Sequence, residues 1–283
     1  MDKVISAACP LLIKGDLINY HYGKITVQDG GYIEVSAPGI LEIDSIVLIA
    51  NPAIPFIRVI GTDGTKGTDG KKGKDGEKGG DGSDATCSSG GGEAGTPGGD
   101  GGKGSDGSNG QKGGNGTAGN PSPTLSIKIS AISGEFQNGM TVITRGGMGG
   151  DGGKGGRGGD GGYGGHGGKY NRCGAFNSNG GAGGVGGGGG EGGGGGNGGN
   201  GGDSNTLTLL LPPTFSSSFL CKSYPSISGK EGRGNWYGIG GEGGAGMPST
   251  TATNSGMSGS PGKTTGSDGS SGQPGKPGTI TIK

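Results

Sequence analysis

The chain has 283 residues, of which 83 are glycine, 26% are hydrophobic and 5% are aromatic. Such a chain cannot bury enough side-chain surface to offset the entropy lost on ordering, which excludes a globular domain built on one large apolar core. Lys and Arg together number 23, as do Asp and Glu, so the net charge is zero. We therefore expect no electrostatic attraction to nucleic acid or to an anionic membrane, and no run of about 18 apolar residues predicts a membrane span.

The first 60 residues are the most ordinary part of the chain. Four short runs there alternate polar and apolar residues: 24–27, 32–35, 41–43 and 46–49. Gly and Pro between the runs are typical of turns. This pattern predicts a small antiparallel sheet, a β-rich head over residues 1–60. Similar runs near 124–144, 205–228 and 279–283 would complete it.

From residue 61 onwards, glycine recurs at every third position. This region, 61–278, divides into six stretches, hereafter tracts 1 to 6: 61–84, 95–119, 146–169, 180–203, 229–248 and 256–278. A short break separates the two tracts of each pair, and strand-like residues follow each pair. The chain therefore repeats strand, tract, turn, tract three times.

A three-residue period is that of the left-handed polyproline-II helix, whose backbone polar groups point outward. With glycine along one edge, neighbouring helices can approach closely enough to hydrogen-bond to each other. The matched tract lengths favour packed rods over flexible linkers. The predicted fold is thus a β-rich head with an antiparallel bundle of six polyglycine-II helices and essentially no α-helix. Tracts 3 and 4, which follow a Gly-Gly-x pattern, should be central.

Charged residues alternate in sign along tract 1. The row consists of Asp63, Lys66, Asp69, Lys72, Asp75, Lys78 and Asp81. Such a row can pair with a neighbouring tract in only one stagger. Exposed ion pairs contribute only about 0–1 kcal/mol each, so a solvated, charge-balanced face is an equal interpretation.

The Gly-Gly-x runs broken by short loops resemble the polyglycine-II sandwich of the tail-fibre tip adhesins of T-even-type phages. The three-residue-period bundle is also similar to the snow-flea antifreeze protein. The similarity covers residues 61–278 and lies in pattern rather than in a specific motif. A collagen-like trimer is the structural alternative, which the scarcity of proline in the tracts and the regular breaks between them disfavour.

Residues for catalysis or for holding a metal or cofactor are scarce. Gly-x-Gly-x-x-Gly carries no dinucleotide-binding information in so glycine-rich a chain, and no phosphate-binding loop motif is present. The two histidines, His21 and His166, have no catalytic partners at a suitable spacing, and His166 is expected on the surface. The sequence therefore predicts no catalytic residues, no metal, no cofactor and no enzyme activity.

The four cysteines are far apart in sequence and form no Cys-x-x-Cys pair. If the tracts run out from the head and back, Cys87 and Cys173 lie together at the far tip, whereas Cys9 and Cys221 belong to the head. A disulfide at each end is one prediction. Four reduced thiols are the alternative, since residues 1–12 lack the features of a signal peptide.

The breaks between tracts carry side chains that the tracts lack. Aromatic, Arg and amide groups on rigidly held loops are typical of a recognition surface. The candidate binding residues are Tyr170, Asn171, Arg172, Phe176, Asn177, Thr251 and Asn254. Capping of the rod ends is the competing role for the two aromatic residues, and Trp236 in tract 5 is expected to pack against a neighbour.

These observations favour a non-enzymatic adhesin-type protein, a rigid rod that presents tip loops to a cell-surface receptor or a glycan. Its head would dock to another protein or to copies of itself, and it would act outside the cell or on a virion or particle surface. Three alternatives stay open: a self-assembling filament, coat or matrix protein, an ice-binding protein and a secreted toxin. The ice-binding alternative rests on the row Thr62, Thr65 and Thr68.

Overall fold

The structure, a computed structural model, describes residues 1–88, 95–134, 139–174, 176–247 and 255–283. Its strands are β1 (Lys3–Ile5), β2 (Leu11–Ile13), β3 (Ile18–Val27), β4 (Ile33–Val35), β5 (Gly39–Leu48), β6 (Ile57–Ile60), β7 (Leu125–Ser133), β8 (Met140–Arg145), β9 (Asn171–Cys173), β10 (Phe176–Ser178), β11 (Leu207–Leu210), β12 (Phe219–Tyr224) and β13 (Ile280–Ile282). A 3-10 turn, Ser216–Ser218, precedes β12. Across these described ranges there is no α-helix, and no helix is long and apolar enough to cross a bilayer.

Eleven of these strands form two parallel sheets. Sheet A has six strands in the order β1-β3-β5-β7-β11-β13, and sheet B has five in the order β12-β8-β6-β4-β2. Strands that follow each other along the chain belong alternately to the two sheets. The chain therefore winds as a coil with two flat sides, and each turn of the coil adds one strand to each sheet.

The fold class predicted from the sequence is wrong. The head is not a small antiparallel sheet but the two large parallel sheets, and the glycine tracts form no helix assigned in the described residues. The tracts are also not a simple antiparallel bundle, because each one has parallel as well as antiparallel neighbours. The strand direction was predicted wrongly because an alternation of polar and apolar residues shows only that one face of a strand is buried. It does not show whether the neighbouring strand is parallel or antiparallel.

The apolar core lies between the two sheets. Sheet A contributes inward-facing Ile25, Leu41 and Ile127, and sheet B contributes Ile33 and Ile57. All five residues are fully buried. Burying such a side chain contributes about 1.5–3 kcal/mol. The head thus holds nearly all of the buried side-chain surface, and the rest of the chain needs another source of cohesion.

That source is backbone hydrogen bonding between tracts, repeated at every third residue. Tracts 1, 3 and 5 leave sheet B and lie parallel to one another, as in the bonds from Gly64 N to Met148 O (2.7 Å) and from Gly152 N to Lys230 O (2.8 Å). Tracts 2, 4 and 6 lead into sheet A and are likewise parallel. We call these the front layer and the back layer, and together they form a glycine slab that continues the two sheets.

The two layers run in opposite directions and are bonded face to face. Gly187 N, in tract 4, donates to Gly162 O in tract 3 at 2.8 Å, and the pattern repeats every three residues. A Cβ built on Gly187 would overlap the carbonyl of Ser105 in tract 2. Tracts 3 and 4 each bond to four others, so they are central, as their Gly-Gly-x pattern predicts.

Side chains add a second set of bonds within each layer. Asp63 and Asp69 in tract 1 accept the backbone N–H of Met148 and Lys154 in tract 3, at 2.7 and 2.9 Å. Asn and Asp residues do the same from tract 2 to tract 4 and from tract 4 to tract 6. We call this set of contacts the Asx ladder, and it fixes the stagger between tracts that run in the same direction.

The alternating charges of tract 1 pair within their own row. Lys72 contacts Asp75 at 2.6 Å and Lys78 contacts Asp81 at 2.8 Å, each pair three residues apart. The same aspartates also accept backbone N–H groups of the Asx ladder, from Asp160 and His166. The aspartates of this row therefore help to set the register between tracts 1 and 3. They do so mainly through hydrogen bonds from backbone N–H groups to their carboxylates, and not only through ion pairs between tracts.

Candidate recognition surface

A short hairpin stands at the end of the slab farthest from the sheets. β9 and β10 pair antiparallel, with Arg172 opposite Asn177 and Asn171 opposite Ser178. Side chains that are directly opposite in such a pair share one face. Ser178 is buried and its hydroxyl donates to Thr86 O at 3.2 Å. The Asn171 and Ser178 face of the hairpin is therefore turned towards the end of tract 1.

A disulfide fixes this contact. Cys173 in β9 is bonded to Cys87, which follows tract 1, with their Cα atoms 5.4 Å apart. Asn171 Nδ2 adds a hydrogen bond to Ala85 O at 3.3 Å. The predicted pairing of the two tip cysteines is thus present in the structure, and it joins two breaks that are 86 residues apart in the chain.

The second disulfide predicted from the sequence is absent, because Cys9 and Cys221 are free. Cys9 precedes β2 and Cys221 lies in β12, at opposite edges of sheet B. Four strand spacings of about 4.8 Å separate these edges by about 19 Å, whereas a disulfide needs Cα atoms within about 7 Å. Burial raises the pKa of the Cys221 thiol, which keeps it protonated.

The opposite side of the hairpin is open to solvent. Arg172 and Asn177 are exposed there, and Tyr170, which precedes β9, is 52% exposed. Phe176 lies opposite Cys173 on the other face of the pair but is still 49% exposed. We call these four residues the tip surface. Two aromatic rings held half in water on a fixed hairpin leave apolar area that a partner can cover. The two other candidate residues, Thr251 and Asn254, lie outside the described residues.

Sequence reasoning missed a second exposed aromatic group, on the outer side of the front layer. Trp236 was expected to pack against a neighbour, but its side chain is 69% exposed. Tyr163 and Ile239 lie nearby and are 59% and 60% exposed. The outward position in each triplet could have placed all three on one face. What the sequence lacked was the register that makes tracts 3 and 5 adjacent.

Two of these three residues, Tyr163 and Ile239, border a groove of about 320 Å³. Its floor is backbone of tracts 3 and 5, including Gly161, Gly162, Gly240 and Gly241. Tyr163 and Ile239 line it, and Asp75, Asp160 and Glu242 bring carboxylates to it. We call it the front groove.

The described part of the chain contains no candidate metal site. Among residues placed by the structure, no three His, Cys, Asp or Glu side chains converge to hold a metal ion. His166 lies on the surface, where its Nδ1 accepts the N–H of Ala245 at 3.1 Å and takes an Asx position in the ladder. His21 contacts Asp44 on the outer side of sheet A at 2.8 Å.

Comparison with models of protein families, with curated protein sequences and with solved structures found no match to this chain.

Proposed function

We propose that this chain is a non-enzymatic recognition protein whose tip surface binds a receptor or glycan on another surface. The observation that carries the proposal is the exposure of two half-buried rings, Tyr170 and Phe176, and of Arg172 at a hairpin locked by a disulfide. Tyr, Phe and Arg are enriched in binding interfaces because they supply large contact area with few rotatable bonds. A fixed hairpin also loses little entropy when it binds.

The place of action in this proposal is outside a reducing cytosol. The Cys87–Cys173 disulfide supports it, because such bonds persist in oxidising compartments and on the surfaces of cells and virions. The head is proposed to dock to another protein or to a second copy. Its strand β12 lies at the edge of sheet B, and no strand in the described ranges pairs with its outer side. An open strand edge offers N–H and C=O groups for pairing.

Lateral self-assembly through the slab is disfavoured. The row of tract 6 that faces away from tracts 4 and 5 is exposed throughout and contains Pro261, Pro274 and Pro277. Proline has no N–H to donate to a further tract. The one Asp of tract 6, Asp268, accepts the N–H of Gly234 in tract 5 at 2.7 Å, so it does not continue the Asx ladder outward. An ice-binding role is disfavoured too, because Thr65 Oγ is bonded to Thr117 Oγ at 3.1 Å.

The test uses the whole chain, fluorescently labelled, on intact bacterial, fungal and animal cells measured by flow cytometry. We expect saturable binding to at least one cell type, and a loss of about tenfold or more in apparent affinity for the double variant Arg172→Ala, Phe176→Ala. The matched control is Ile49→Ala, which removes an equally exposed apolar side chain from the head (62% exposed). Equal binding by the tip variant and the control, or no binding to any cell type, would overturn the proposal.

A further inference from the structure

The front groove carries apolar side chains that the slab does not need for its own stability. Its glycine floor belongs to the backbone bonding of the layer, as in the bond from Gly161 N to Ile239 O at 2.8 Å. Tyr163 and Ile239 rise from this floor on neighbouring tracts and stay about 60% exposed. Neither side chain covers core residues. Their apolar area is therefore free to contact a ligand.

Trp236 extends the apolar side of the groove along tract 5. It precedes Ile239 by one triplet, about 9 Å along an extended chain of this period, and is 69% exposed. An exposed Trp is unusual because its large apolar surface is costly to leave in water. Trp236 and Tyr163 thus provide two ring faces at separate points of one continuous surface, which suits a ligand longer than one ring.

Two of the three carboxylates at the groove, Asp75 and Asp160, are paired with cations of the same face. Asp160 accepts Arg157 Nη2 at 2.8 Å and lies 3.7 Å from Lys72. Lys72 also contacts Asp75 at 2.6 Å, and this contact, more than any other, holds the pKa of Asp75 below its usual range. Asp75 also accepts the N–H of Asp160, and Asp160 accepts the N–H of Ile239, each at 2.8 Å. A carboxylate offers about four acceptor sites, so both groups keep lone pairs for a ligand.

These contacts select against strongly charged ligands. A cation would compete with Lys72 and Arg157 for Asp75 and Asp160 and would find only Glu242 unpaired, and an anion would meet all three carboxylates. A neutral ligand rich in hydroxyl groups can donate to the carboxylates without disturbing the pairs. A sugar ring has such hydroxyls at its rim and C–H groups on its faces, which pack on aromatic rings.

We propose that the front groove binds a neutral oligosaccharide, with one sugar ring between Tyr163 and Ile239 and an adjoining ring on Trp236. Hydroxyl groups of the first ring donate to Asp160 and Glu242. Glu242 forms no ion pair within the described part of the chain, so its carboxylate is free to accept. This site is separate from the tip surface and does not depend on the receptor proposed there.

The experiment is a titration of the full chain with cellotetraose, mannotetraose and chitotetraose, by calorimetry and by saturation-transfer NMR. We expect at least one tetraose to bind, and its affinity to fall about tenfold or more in Tyr163→Ala and in Trp236→Ala, which corresponds to about 1.4 kcal/mol. Tyr163→Phe keeps the ring and should keep the affinity within about threefold. Ile227→Ala, another exposed apolar residue of the same outward row (63% exposed), is the matched control.

Both aromatic side chains are exposed, so their variants should unfold at the same urea concentration as the parent chain. Failure of all three tetraoses to bind, or binding that Tyr163→Ala and Trp236→Ala leave unchanged, overturns the proposal. Tighter binding of tetralysine than of any tetraose also overturns it in favour of a cationic ligand. Tip variants must leave sugar binding unchanged, which separates this result from the outcome of the cell-binding test.

Discussion

Two adjacent glycines in tract 4 provide a direct test of how the slab is held together. Gly187 and Gly188 lie in the same glycine run and have the same backbone propensity, but they face different surroundings. A Cβ on Gly187 would overlap Ser105 O and lie 2.5 Å from Ser105 C, whereas a Cβ on Gly188 would meet no atom closer than Ser260 O at 3.5 Å. Gly187→Ala must therefore push tract 2 away from tract 4, and Gly188→Ala need not.

The size of the effect follows from the contacts. Forcing a side chain into a packed position costs about 1–3 kcal/mol, and one buried backbone hydrogen bond left unmade costs about 1–3 kcal/mol more. The bonds at risk are those from Gly104 N to Val185 O and from Gly107 N to Gly188 O, at 2.9 and 2.8 Å. We expect Gly187→Ala to lower the free energy of unfolding by about 2–6 kcal/mol.

Gly188→Ala should change the free energy of unfolding by less than about 1 kcal/mol, with a small gain if the loss of freedom in the unfolded chain dominates. The assay is urea unfolding followed by circular dichroism, with linear extrapolation to water. Equal destabilisation by the two substitutions would refute the reasoning, because it would mean that glycine is needed for backbone freedom rather than for the close approach of tracts.

Three further predictions concern the tip, the front layer and the ladder. Cys173→Ser should lower the free energy of unfolding by about 2–4 kcal/mol under non-reducing conditions, because the disulfide closes a long loop. Below about pH 4, acid should lower the urea midpoint. The backbone N–H of Lys154 holds the pKa of Asp69 below its usual value of about 3.9. The stabilisation that Asp69 contributes is therefore complete above that value and is lost as the pH falls through the folded pKa. Asn115→Ala should lower the free energy of unfolding by about 1 kcal/mol, because the N–H of Asn197 loses Asn115 Oδ1 as its acceptor.

Each of these predictions has its own control. Cys221→Ser removes a free thiol and should cost less than Cys173→Ser under the same conditions, and equal costs would contradict the role of the disulfide. Asp69→Asn keeps an oxygen for the backbone N–H but cannot titrate, so it should weaken the acid response, to which Asp75, Asp81 and Asp106 also contribute. An unchanged response would count against the Asp69 carboxylate. Lys112→Ala removes a charged side chain from the same row as Asn115 and should cost under about 0.5 kcal/mol.

The sequence indicated the period of the tracts, their number and their arrangement in pairs along the chain, because the positions of glycine show all three. It also indicated the tip cysteine pair, since Cys87 and Cys173 lie in breaks between tracts of matched length. Both inferences needed only distances along the chain.

The direction of the strands could not be read in the same way. Gly30-Gly31 and Pro38-Gly39 were interpreted as turns of an antiparallel sheet, but they carry the chain from one sheet to the other. Turn residues report a change of direction and not the element that comes next. The front groove was missed for a related reason: Tyr163 and Ile239 line one groove only because tracts 3 and 5 are neighbours, and that stagger depends on the Asx ladder.

The alternating direction of the tracts has a mechanical consequence. A force that pulls the tip away from the sheets acts along the tract axes, and the hydrogen bonds between tracts lie across those axes. All the bonds along a tract are then sheared together, so none can open first and pass the load to the next. The disulfide between Cys87 and Cys173 joins two tract ends at the point where the pull is applied. A pull applied at the tip would therefore load all of these bonds at the same time.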